Sequence, residues 1–211
     1  IVIPNQVKTI GSTAFKNCRV LREITIPDKV TTINSNVFQD CSALTSITLP
    51  NDITTIGYQA FLNCYSLKDF TLPDSLTTID SYAFEMCKSL HVITMPSKVN
   101  SFGIYVFDGC AGLSHINMLP PTPPTIDYRT FYEAPSNLKI NLLCGTKEAY
   151  MANANWAKLS LNEISSNILT IKSNDNRMGE AYIPTPNTCD NDTAIIEALP
   201  REGYQFAAWH D

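Results

Sequence analysis

Apolar and polar positions alternate along the first half of the chain in short runs that recur every 23 residues. In the unit from Leu44 to Ser66, Leu44, Ile47 and Leu49 are interleaved with Thr45, Ser46 and Thr48, and the run stops at Pro50. This is the pattern of a brief strand that ends where the chain loses a backbone N–H. Pro50-Asn51-Asp52 supplies turn chemistry. The β-branched stretch Ile53-Thr54-Thr55-Ile56 predicts a second extended segment. Gly57 is read as the next bend, and Ala60-Phe61 followed by Cys64 has the spacing of a single helical or 3₁₀ turn. Each unit therefore predicts a strand, a turn, a short strand and a helical turn, together one coil of a solenoid.

The register holds over five frames. Pro4, Pro27, Pro50, Pro73 and Pro96 coincide, as do Phe15, Phe38, Phe61, Phe84 and Phe107. Cys18, Cys41, Cys64, Cys87 and Cys110 form a third row, and Leu21, Leu44, Leu67, Leu90 and Leu113 a fourth. A fixed period of this length marks a repeat array in which each unit contacts only its neighbours. One rung cannot fold alone, because ordering its backbone costs more than burial of a single face contributes. Stacked rungs, with strands about 4.8 Å apart, bury both faces and line up the phenylalanines and thiols inside. A buried thiol there behaves as a small hydrophobe.

The repeated string Leu-x-x-Ile-Thr-[Ile/Leu]-Pro-[Asp/Asn]-x-[Val/Ile/Leu]-Thr-Thr-Ile-x-x-x-Ala-Phe-x-x-Cys resembles the BspA-like leucine-rich repeat, also called the Treponema pallidum-type repeat, over residues 1–118. Val37 and Val106 stand where Ala recurs, and Phe70 and Phe102 each replace an Ile. The resemblance implies an α/β repeat solenoid of leucine-rich-repeat type, with 23-residue rungs of short strands and helical turns. Residues 119–166 read as a degenerate repeat and C-terminal cap. There the Pro120-Pro121-Thr122-Pro123-Pro124 segment is extended, and Asn137 to Leu142 predicts a last strand. A helical stretch over 145–158 brings Tyr150 and Trp156 across the open end, as a terminal repeat requires. Residues 167–211 predict a small β-rich module with strands at 168–171, 179–183 and 194–198. Its ending, Ala198-Leu199-Pro200-x-x-Gly203-Tyr204-x-Phe206-x-x-Trp209-x-Asp211, is similar to the first half of the Listeria–Bacteroides-type surface repeat, which implies an incomplete module.

Composition narrows the function. A net charge of −5 and the absence of any Lys/Arg run argue against a nucleic-acid partner. No run approaches the roughly 20 apolar residues of a membrane span, and no secretion signal is read at the start. The chain opens inside a repeat, so any signal or anchor is expected upstream. Seven cysteines, five of them at one repeat position and without a Cys-x-x-Cys or a paired His, predict buried structural thiols, with disulfides and then a metal centre as the alternatives. His91 and His115 fall on neighbouring rungs, where a solvated surface is expected and a metal or acid–base pair is the sharper alternative. Asp190-Asn191-Asp192 is a loop that could hold a weak calcium ion. No Gly-x-Ser-x-Gly elbow or facing carboxylate pair is present, so the expectation is a non-enzymatic protein with no cofactor.

The candidate binding surface is the outward row of the main strand, which varies while the frame does not. By alternation it comprises Arg22, Glu23 and Thr25; Thr45, Ser46 and Thr48; Lys68, Asp69 and Thr71; His91, Val92 and Thr94; and Ser114, His115 and Asn117. A varied surface on a constant scaffold suits an extended partner. The surface-repeat resemblances imply a bacterial cell-surface or secreted adhesion module that binds a host or bacterial protein through this row. A structural spacer or stalk is the alternative. A glycan-binding module, supported by Tyr58, Tyr65, Tyr82 and Tyr105, is the more distant one.

Overall fold

The computed structural model describes residues 1–68 and 70–164, together with the backbone of two short strands further on. The chain divides into two compact units, Ile1–Asn162 and Glu163–Asp211. The first is a stack of rungs in which the sequence period has become a spatial one.

The leading strands pair in parallel in two groups, with no strand described in the rung of Lys68 and Thr71 between them. β1 (Glu23–Thr25) lies beside β3 (Ser46–Thr48) with Ile24 opposite Ile47. The second short extended segments form their own ladder, from β2 (Thr32–Ile33) to β4 (Thr55–Ile56), β5 (Thr78–Ile79) and β7 (Ser101–Phe102). Here Ile33, Ile56, Ile79 and Phe102 stack inward while the threonines face out. Further along, the leading-strand ladder runs through β6 (Val92–Met95), β8 (His115–Met118), β9 (Lys139–Leu143) and β10 (Leu161–Ile164). Between the two strands of each rung the Pro carbonyl accepts the amide three residues on, as in Val30 N–H to Pro27 (3.0 Å) and Leu76 N–H to Pro73 (3.0 Å).

The helical turns expected at each rung are not what the chain forms. Among the described residues the helices are α1 (Lys147–Met151) and a 3₁₀ turn, Trp156–Lys158, so the array is a β-solenoid. Around Phe38 the amides alternate between two destinations. Val37, Gln39 and Cys41 bond back three residues, while Asn36, Phe38 and Asp40 donate forward to Tyr58, Ala60 and Leu62 of the next rung. A helix would direct every amide along its own axis, and the lateral bonds would be lost. The alternation needs left-handed backbone at paired positions, and Asn36 (φ 60), Asp40 (φ 61), Gln59 (φ 53) and Asn63 (φ 61) supply it. Asn and Asp tolerate this conformation, and the bonds on both sides fix it for the other residue types. The bend read at Gly57 does not use left-handed backbone, since the positive-φ glycines among the described residues are Gly109 and Gly145. At Gly57 it is proximity that matters, for a Cβ there would lie 2.9 Å from the Ile33 carbonyl oxygen of the preceding rung.

Inside, the phenylalanines form a column. Phe15, Phe38, Phe61, Phe84, Phe107 and Phe131 stack with centroids 5.5, 5.5, 5.4, 5.9 and 5.8 Å apart. Phe70, in place of an Ile, fits by meeting Phe61 and Phe84 edge-on at 5.1 and 5.2 Å. The thiols of Cys41, Cys64, Cys87 and Cys110 each donate to the carbonyl of the preceding rung's phenylalanine, at 3.0–3.3 Å. Burial, chiefly, pushes the Cys41 thiol up to about 11 and that of Cys110 up to about 12. These four and Cys18 are free, whereas Cys144 is disulfide-bonded.

The far end of the array is closed by Tyr150 and Trp156, both fully buried. Their polar tips reach the proline-rich segment: Tyr150 O–H donates to the Pro120 carbonyl (2.9 Å) and Trp156 Nε1–H to that of Pro124 (2.7 Å). Trp156 also meets Phe131 at 5.7 Å and so covers the end of the ring column. The helix predicted over 145–158 is interrupted because Asn153 Oδ1 accepts the amides of Asn155 and Trp156, a local bond that competes with helix propagation.

In the second unit, β11 (Gly179–Tyr182) and β12 (Glu197–Pro200) pair antiparallel with Ala181 opposite Ala198. Of the strands expected at 179–183 and 194–198, residues 179–182 and 197–198 are in strand, the latter continuing to Pro200, and residues 183 and 194–196 lie outside the described residues. The strand expected at 168–171, the Asp190-Asn191-Asp192 loop and the Gly203 to Asp211 ending lie outside the described residues.

Candidate functional site

Parallel in-register pairing turns the outward row into columns. Glu23 sits opposite Ser46, Thr25 opposite Thr48, Val92 opposite His115, and Thr94 opposite Asn117. Arg22, Glu23, Thr25, Thr48, Lys68, Thr71, His91 and Val92 are exposed. Thr45, Ser46, Thr94, Ser114, His115 and Asn117 are half-buried. Asp69 lies outside the described residues. The described members of the row are exposed or half-buried, with the inward alternates Ile24, Ile47, Ile93 and Ile116 beneath them.

The row's members are not equivalent. Thr45 Oγ1 donates to the Arg22 carbonyl (3.0 Å) and Ser114 Oγ to the His91 carbonyl (3.0 Å), so these hydroxyls satisfy backbone acceptors of the preceding rung. The Thr/Asn column is also internally bonded: Asn141 Nδ2 donates to Asn117 Oδ1 (2.8 Å), and Asn117 Nδ2 to Thr94 Oγ1 (3.3 Å). Thr54 and Thr77, on the second ladder, donate to Thr31 and Thr54 carbonyls at 3.4 and 3.0 Å. What remains for contact is a charged and aromatic set led by Arg22, Glu23, Lys68, His91 and His115, with Val92 apolar and 46% exposed among them. Each histidine is held by its own rung: Nδ1–H of His91 donates to the Ser89 carbonyl (2.6 Å), and Nδ1 of His115 bonds Ser114 Oγ (3.0 Å). The two rings stand in adjacent columns rather than facing as a pair, since it is Val92 that lies opposite His115.

One exposed member of the surface, Lys139, escaped the sequence reading, and Asn141 extends the Thr/Asn column as a buried residue. Lys139 continues the Glu23/His115 column and Asn141 the Thr/Asn column, because β9 pairs with β8 in the same register. The signal was available: Phe131 falls 24 residues after Phe107, and the same step from His115 and Asn117 lands on Lys139 and Asn141. No helix among the described residues is long and apolar enough to cross a membrane. Among the same residues no group of three or more His, Cys, Asp or Glu side chains converges as metal ligands would.

A stack of short parallel strands with one varied polar face, built on a leucine-and-phenylalanine frame, defines a leucine-rich-repeat solenoid. The profile of the BspA type leucine rich repeat region matches the chain in 6 copies, over residues 1–114 and 82–175, and the chain belongs to that family. A leucine-rich-repeat protein of T. pallidum is similar in structure, with 28% identity and a TM-score of 0.58 over 67% of either chain. The pneumococcal vaccine antigen PcpA shares the fold, with 21% identity and a TM-score of 0.64 over 78% of this chain and 40% of its own. A leucine-rich-repeat protein from Bacteroides ovatus is 25% identical with a TM-score of 0.53, over 76% of this chain and 50% of its own. No curated protein matches the sequence.

Proposed function

We propose that the chain is a non-enzymatic protein-interaction module of a bacterial surface or secreted protein. It engages a partner through the varied face of the leading strands. The observation that carries this reading is the contrast between frame and face. The inward positions of the five frames stay apolar in every column and hold one residue type in the Phe, Cys and Leu columns, whereas Arg22, Lys68 and His91 share a column with Thr45 and Ser114, and Val92 shares one with Glu23 and His115. Parallel pairing fixes their spacing at about 4.8 Å per rung, which preorganises several weak polar contacts for one extended surface. The naming of a fold relative as a vaccine antigen agrees with exposure outside the cell.

The test is capture of a protein partner by the array, compared between wild type and a Lys68→Glu/Val92→Asp variant. Both side chains are exposed, so the variant is expected to keep its unfolding midpoint and lose capture at least tenfold. Equal capture by the two proteins would leave the face without a role. A rigid spacer is the second reading, and three backbone ladders plus a continuous ring column favour it. A spacer binds nothing through this face, so the same comparison separates the two.

A further inference from the structure

The turn edge of the array carries a surface different in character from the strand face. Tyr58, Tyr82, Tyr105 and Tyr132 form a phenol ladder along successive rungs. Tyr58 meets Tyr82 edge-on at 5.6 Å, Tyr82 stacks on Tyr105 at 5.2 Å, and Tyr105 meets Tyr132 edge-on at 5.5 Å. Tyr58 and Tyr132 are 40% and 50% exposed, so the ladder borders water rather than core. Its internal members sit on left-handed backbone, Tyr82 at φ 60 and Tyr105 at φ 56, a conformation unfavourable to a bulky residue and held here by bonds to the next rung.

Carboxylates accompany the rings. The Glu85 amide bonds the Tyr82 carbonyl (3.2 Å) and the Asp108 amide that of Tyr105 (3.4 Å), so ring and acid share one turn, and Glu133 follows Tyr132 directly. Among the described residues no Lys or Arg pairs with any of the three, and the ion pair of this region joins Arg129 to Asp127 at 2.8 Å. Arg129 shows what the ladder accepts. Its guanidinium lies 5.9 Å from the Tyr105 ring centroid and 5.1 Å from that of Tyr128. Burial, then repulsion from Asp108, raises the Glu85 carboxyl; burial, then Glu133, raises that of Asp108. A cation placed among them would relieve that repulsion.

We propose that this tyrosine–carboxylate edge is a second binding surface, taking an extended arginine-bearing segment of a protein partner with its guanidiniums against the phenol rings and paired to Glu85, Asp108 and Glu133. The spacing fits one backbone form. Two rungs span about 9.6 Å, and one turn of polyproline II spans about 9.3 Å, so arginines at every third residue meet alternate rungs such as those of Glu85 and Glu133. Phenol rings and carboxylates both favour a guanidinium, through the ring quadrupole and through charge-assisted hydrogen bonds. The proposal is independent of any partner on the strand face.

The probe is a labelled peptide of four Arg-Pro-Pro repeats, with Gln-Pro-Pro as its neutral control, titrated into the full chain at low and high salt. The arginine peptide should bind at least tenfold more tightly than the control and weaken as salt rises. Tyr82→Leu/Tyr105→Leu and Glu85→Gln/Asp108→Asn should each lower its affinity about tenfold. Tyr82→Phe/Tyr105→Phe, which keeps both rings, should retain it, and Arg22→Glu on the strand face should leave it unchanged. Equal binding of the two peptides, no binding by the wild-type chain, or unchanged affinity in a folded Tyr82→Leu/Tyr105→Leu variant would overturn the proposal. Tyrosine-dependent binding of a neutral oligosaccharide with none of the arginine peptide would also overturn it, in favour of a carbohydrate platform.

Discussion

Replacing Phe61 by alanine probes the column that holds the rungs together. Phe61 is fully buried, stacked on Phe38 at 5.5 Å and on Phe84 at 5.4 Å, with Phe70 edge-on at 5.1 Å. Truncation removes a ring's worth of transfer free energy and leaves a cavity whose walls are themselves pinned by stacking on further rungs. Collapse is therefore limited, and the cost belongs at the upper part of the roughly 3–5 kcal/mol range for Phe→Ala. Phe15 provides the internal control. It is only half-buried and stacks on Phe38 alone, so Phe15→Ala should cost about 1–2 kcal/mol less. The measurement is urea unfolding followed by far-UV circular dichroism for the wild type and both variants, with the slope compared as well as the midpoint. In a one-dimensional array a central defect also uncouples the two sides, so Phe61→Ala should broaden the transition or split it, whereas Phe15→Ala should only shift it. Equal losses for the two variants, or a Phe61→Ala loss below about 1 kcal/mol, would refute the idea that the column carries coupling between rungs.

Three further outcomes are expected. Cys64, whose buried thiol donates to the Phe38 carbonyl and is raised well above its ordinary value by burial, should resist thiol reagents in the native protein while half-buried Cys18 is modified; unfolding should equalise the two, as mass-mapped labelling would report. Trp156→Ala should cost about 3–5 kcal/mol and expose the Phe131 end of the column, detectable as dye binding and loss of near-UV signal. Glu85→Gln should stabilise at neutral pH. Its carboxyl is raised in the folded state by burial and by Asp108, so the wild type is most stable with Glu85 protonated and loses that stability as pH rises from the ordinary carboxyl range. The advantage of the variant should vanish below about pH 4, and a constant difference across pH would contradict the assignment.

Much of this architecture was legible in the residues because a repeat converts sequence period into spatial position. Once Phe38, Phe61 and Phe84 share a register, stacking follows from the about 4.8 Å strand spacing, and alternation about Ile47 and Ile93 sends Ser46, Thr48, Val92 and Thr94 outward. The burial of Tyr150 and Trp156 was legible for the same reason, since an aromatic pair after the last frame has nowhere else to bury. The helical turn was not. The spacing of Ala60, Phe61 and Cys64 suits a helical turn equally well, and the choice is made by where the amides of Gln59, Phe61 and Asn63 find acceptors, which are carbonyls 22 residues away on the next rung. Nor could spacing reveal that Thr45 and Ser114 spend their hydroxyls on backbone, or that Tyr58, Tyr82 and Tyr105, at uneven intervals of 24 and 23, join into one ladder. Sequence alone determined which side chains line the interior and which face water, because burial follows periodicity. Tertiary structure decided the conformation of the turns and the grouping of surface side chains, because both depend on contacts between rungs.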